Sequence, residues 1–134
     1  MAGVTSLESP QAIRAVFFDV GFTLLAPHPS VPEIVAAACA LRATPVTRAA
    51  IEDALPQAEV YLRRTARANP WTWGDERAIS AIWQEYFTTL LGPCLPGASG
   101  DEVAACAADV RAAFDAASSY ALYPDCLLYT SDAA

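Results

Sequence analysis

A nine-residue run, Val16-Phe-Phe-Asp-Val-Gly-Phe-Thr-Leu24, constrains the fold of this 134-residue chain more than any other segment. Ile13 to Phe18 is β-branched and aromatic, with no polar alternation past Arg14. That pattern predicts a strand buried on both faces, as in a parallel sheet. The run stops at a carboxylate, Asp19, and Gly21 and Thr23 follow at intervals of two. Open α/β sheets place their ligand sites at the carboxyl ends of strands. An aspartate there can act as a nucleophile, as a metal ligand, or as both. The plainer alternative is an aspartate capping the turn after an ordinary strand.

The chain after this run reads as helices. Pro27-His28-Pro29 forces an extended connection. Ser30 and Glu33, with Pro32 between them, make a capping-box start for a helix reaching about Arg42. Thr47 can cap a second helix over about Arg48 to Ala68, where Ile51, Leu55, Ala58 and Leu62 recur at helical spacing. Pro56 predicts a kink or break near Ala54-Leu55. After Asn69-Pro70, Thr72 predicts the cap of a third helix, with Asp75 and Glu76 in its first turn and an apolar stripe from Ile79 to Leu91. Gly92-Pro93 ends it. Ser99 with Glu102 opens a fourth helix, to about Ala117, striped by Val103, Cys106, Ala107, Val110 and Phe114. The aromatics Trp71, Trp73, Trp83, Tyr86 and Phe87 serve mainly as packing bulk, with a substrate pocket as the other use for them.

The high apolar share argues against disorder and suits one domain. A net charge of −7 and a pI near 4.4 exclude nucleic acid as the expected partner. Arg63, Arg64 and Arg67 at helical spacing read as a solvated face. Met1 to Gln11 has neither the basic start nor the apolar core of a signal peptide, and the apolar runs are too short to span a bilayer. Cys39, Cys94, Cys106 and Cys126 lack the short spacings of zinc or redox motifs, so buried free thiols in a reducing cytoplasm are expected.

Residues 16–24 resemble the first motif of the haloacid dehalogenase-like (HAD) hydrolase superfamily, in which hydrophobic residues precede Asp-x-Asp-x-Thr-Leu. The resemblance implies an α/β protein with a Rossmann-like core and a helical cap, of which these residues supply one core strand and about four cap helices and are mostly α. It divides the chain into the first strand and nucleophile loop (1–28), the cap (29–118) and a return segment to the core (119–125). It makes Asp19 the nucleophile, Thr23 the support of the loop, and Asp19 with the Gly21 backbone carbonyl a share of a Mg2+ site. Phe22, and His28 at the hinge into the cap, are its candidate contacts to a small-molecule substrate. His28 between two prolines also reads as an exposed loop residue. Gly21 stands where the phosphatases of the superfamily carry their second aspartate, the general acid/base; dehalogenase-type members lack it too.

Cys126 to Ala134 resembles a translated sequencing-library adapter, the transposase end used in tagmentation. That resemblance implies a non-native tail and an amino-terminal fragment ending near Asp125. The family also needs a downstream Ser/Thr, a lysine and further acidic residues, and the sequence contains no lysine. The expectation is a Mg2+-dependent phosphatase acting through an aspartyl-phosphate, with these residues inactive by themselves. Two alternatives are a 2-haloacid dehalogenase working through an aspartyl ester and a non-catalytic helical interaction domain.

Overall fold

The structure, a computed structural model, describes residues 14–126. Among them the chain divides into two compact units, residues 27–121 and residues 14–26 with 122–126. The element order is β1 (Leu25–Pro27), α1 (Val31–Leu41), α2 (Arg48–Ala68), α3 (Glu76–Leu91), α4 (Gly100–Asp115) and β2 (Tyr120–Leu122). The chain is mostly helical, and β1 and β2 form a small two-stranded antiparallel sheet. Among the described residues there is no Rossmann-like sheet.

Each helix of the larger unit begins where a side chain satisfies its free amides. Ser30 accepts from the Glu33 amide, Thr47 from the Ala50 amide, and Ser99 with Glu102 completes a reciprocal capping box. The third start differs from expectation. Asp75, and not Thr72, caps α3, its Oδ1 accepting from the amides of Arg77 at 2.9 Å and Ala78 at 3.3 Å. Residues Pro70–Gly74 instead form a 3-10 turn, capped by the Asn69 side chain. The carboxylate wins because it takes two amides and favours the positive end of the helix. Pro56 does not break α2, which runs continuously from Arg48 to Ala68. Pro56 and Glu52 are both exposed, so water can reach the Glu52 carbonyl that the missing Pro56 amide leaves without its helical donor.

The four helices close a ring of contacts: α1 with α2, α2 with α3, α3 with α4, and α4 with α1. Val35 and Cys39, Ile51 and Ala58, Leu90 and Leu91, and Cys106, Ala107 and Val110 fill its centre with no measurable exposure. Tyr86 stands edge-on to Trp83 and Phe87, with centroids at 5.4 and 5.1 Å, and Phe87 stacks on Phe114 at 5.3 Å. Three of the five aromatics singled out in the sequence therefore pack. Trp71 and Trp73 remain exposed. Arg63, Arg64 and Arg67 are exposed as expected of a solvated face.

Burying these groups makes the bundle sensitive to alkali. Burial, then contact with Cys106, pushes the Cys39 thiol from 9.0 up to about 12. Burial, then the negative Glu59, pushes the Tyr86 hydroxyl from 10.0 up to about 12. Both groups keep their protons longer when folded, so the unfolded chain binds fewer protons above pH 9. Stability is complete below pH 9 and is lost towards pH 12, each group removing up to about 1.4 kcal/mol per pH unit in its window. Urea midpoints measured from pH 7 to 11 are expected to hold to pH 9 and then fall; a constant midpoint to pH 11 contradicts this burial.

The smaller unit departs from expectation. Arg14 to Val20 carries no strand pairing, and Val16, Phe17 and Phe18 are 65%, 93% and 71% exposed. Among the described residues the first strand is instead β1, beyond the motif. An apolar run becomes a strand only where neighbouring strands take its amides and carbonyls, and none does so here among the described residues. Ile13 lies outside the described residues, as do 127–134 of the adapter-like tail. Within that tail only Cys126 is described, its amide donating to the Tyr123 carbonyl at 3.0 Å.

Candidate functional site

The motif closes into a tight turn built on one carbonyl. Val20 C=O accepts from the amides of Thr23 at 3.3 Å, Leu24 at 2.9 Å and Leu25 at 3.2 Å. The Phe22 amide returns to the Leu25 carbonyl at 2.7 Å, and Gly21 and Leu25 form an isolated parallel bridge. Phe22 sits at φ 58°, in the left-handed region. An L-residue with a β-carbon holds that conformation at a cost of about 1–2 kcal/mol. Backbone strain of this kind concentrates at functional turns.

The turn brings the i and i+4 side chains of the motif together. Thr23 Oγ1 donates to Asp19 Oδ2 at 2.6 Å. The hydroxyl fixes one carboxylate oxygen, and among the described residues Oδ1 accepts no hydrogen bond. Nor does the Gly21 carbonyl, in contrast to the three amides on Val20. Asp19, Gly21, Phe22 and Thr23 are all exposed. A β-carbon built on Gly21 meets nothing within 4 Å, so the position has room for a side chain.

The Asp19 carboxylate and the Gly21 carbonyl offer oxygens of the hard type that Mg2+ selects. They supply only part of its near-octahedral shell. Among the described residues no group of three or more His, Cys, Asp and Glu is placed to hold a metal ion.

His28 belongs to the larger unit. Its amide donates to the Ser119 carbonyl at 2.9 Å, and its exposed side chain borders an open cleft of about 630 Å3 between α1 and α4. Ile34, Ala38, Leu41 and Ala113 form the apolar wall, and Arg42 with Asp109 makes an ion pair at one margin. The sequence pattern gave no sign of this cleft. Its only trace is small residues, Ala37, Ala38 and Ala113, at positions where two helices face each other and larger side chains would have filled the gap.

A second grouping also went unseen in the sequence. Cys39 and Cys106, 67 residues apart, place their sulfur atoms 3.3 Å from one another in the core. Cys94 and Cys126 are half-buried, and all four cysteines are free thiols. Compared with family models, curated proteins and solved structures, the chain finds no match.

Proposed function

We propose that Asp19 is the nucleophile of a Mg2+-dependent hydrolase acting on a small phosphorylated metabolite. The observation that carries this reading is the 2.6 Å hydrogen bond from Thr23 to Asp19 Oδ2, which leaves Oδ1 directed by its partner and without one of its own. A carboxylate held by one oxygen attacks through the other with little loss of orientation. Oδ1 forms the new bond to phosphorus, the leaving oxygen departs with the electron pair of the broken ester bond, and water then cleaves the aspartyl-phosphate. Mg2+, when bound, supplies charge neutralisation on the transferring group; the Gly21 carbonyl and Asp19 Oδ2, which keeps a lone pair beside the Thr23 hydrogen bond, are the oxygens that would hold it, leaving Oδ1 to attack.

The absence of a carboxyl group at Gly21 bears on the substrate. With no acid there to protonate the departing oxygen, acyl phosphates and activated esters are favoured over alkyl phosphates. The room at Gly21 makes this testable. In the protein translated from its whole reading frame, Gly21→Asp is expected to raise alkyl phosphate hydrolysis by about 10^2-fold and acyl phosphate hydrolysis far less. Chelator is expected to abolish both activities. Equal effects on the two substrates, or activity indifferent to chelator, contradict the phosphatase reading.

The same residue favours a second reading, carbon–halogen hydrolysis through an aspartyl ester, because a departing halide needs no proton. Hydrolysis in oxygen-18 water separates the two. Attack of water on phosphorus leaves Asp19 unlabelled, whereas attack on the ester carbonyl puts the label into Asp19.

A further inference from the structure

Cys39 lies in the last turn of α1 and Cys106 in the middle of α4, and neither is exposed. Their sulfur atoms are 3.3 Å apart, within reach of an S–H···S hydrogen bond. A disulfide needs about 2.05 Å, so a further approach of about 1.2 Å would join them. One helical turn on from each cysteine, Arg42 and Asp109 form an ion pair between the same two helices. The thiol pair and the ion pair both tie the end of α1 to α4.

We propose that Cys39 and Cys106 are a site of reversible oxidation, at which a hydroperoxide converts the two thiols to an intrachain disulfide tying the end of α1 to α4. One thiol loses its proton to water, and its sulfur attacks a peroxide oxygen. The O–O bond breaks, leaving a sulfenic acid and, after protonation, an alcohol, or water where the oxidant is hydrogen peroxide. The second sulfur attacks the sulfenic sulfur, the S–O bond breaks, and water leaves. Two electrons pass from the thiols to the peroxide, and a dithiol reverses the change.

Burial sets the pace. The Cys39 thiol, pushed up to about 12, keeps its proton at neutral pH, and the thiolate is the reactive form. Oxidation therefore proceeds through opening of the last turn of α1, as a slow step and not as fast peroxide sensing. Once formed, the bond closes a long loop, which restricts the unfolded chain strongly.

The test uses the full chain carrying Cys94→Ala and Cys126→Ala, in which the only remaining thiols are the pair. After millimolar hydrogen peroxide, applied a few degrees below the unfolding midpoint, the mass is expected to fall by about 2 Da. Trypsin without reductant then yields one species joining residues 15–42 to residues 78–111, which dithiothreitol separates. The midpoint temperature rises by about 10 °C and reverts on reduction. The wild-type chain gives the same shift, and Cys106→Ala in the double variant removes it. Thiols that stay alkylatable, sulfinic acid at either position, or wild-type linkage through Cys94 or Cys126 overturns the proposal.

Discussion

Asp19→Asn is expected to reduce turnover by about 10^4-fold or more, measured in the protein translated from its whole reading frame. The amide keeps the size of the carboxylate and still offers Oδ1 to the Thr23 hydroxyl, so the turn around Val20 C=O survives. What it loses is the anionic oxygen proposed to attack. Thermal stability should therefore change little while kcat collapses. Thr23→Val makes the complementary variant. It keeps the Asp19 carboxylate and removes the hydrogen bond that orients it, and a loss nearer 10-fold is expected, in line with one charge-assisted hydrogen bond on an exposed group. If Asp19→Asn retains more than a tenth of wild-type kcat, Asp19 is not the nucleophile.

Leu90→Ala carries the largest expected effect on stability. Leu90 is fully buried on α3 in the cluster that also contains Ile51 of α2 and Cys106 of α4. Truncation removes transfer free energy and leaves a cavity between helices that relax only partly, so about 3 kcal/mol is expected. For a unit of this size the midpoint should drop by about 10–20 °C. Leu41→Ala on α1 is the control, since Leu41 is 92% exposed and its truncation should change stability by less than about 0.5 kcal/mol. Differential scanning calorimetry of the two variants decides; similar losses in both contradict the placement of the core.

The helices were legible in the sequence because their signals are local. Ser30, Thr47 and Ser99 each stand one residue before the helix they predict, and each caps it. Thr72 failed since two capping residues competed within one turn, and the side chain that satisfied more amides prevailed. Pro56 lies inside a continuous α2 because an exposed helix face lets water replace one missing bond. The run from Ile13 to Phe18 misled for a different reason: its composition states which environment it suits, while a ladder depends on partners elsewhere in the chain.

The candidate site was legible only within the motif. Asp19 and Thr23 are four residues apart, and one turn of backbone is enough to join them. The left-handed Phe22 was not legible, because glycine at position 21 is the residue that advertises such a conformation and the chain adopts it one position later. Cys39 with Cys106, and the cleft beside His28, arise from helix packing across long stretches of sequence, where spacing carries no signal.

The covalent bond proposed between Asp19 and the group it transfers can be trapped by rapid acid quenching of the full-length protein, mixed with an acyl phosphate and Mg2+, followed by mass mapping. One phosphoryl group, about 80 Da, is expected on the peptide that contains Asp19, lost with hydroxylamine and absent from Asp19→Asn. Turnover without that adduct, or an adduct that persists in Asp19→Asn, contradicts it.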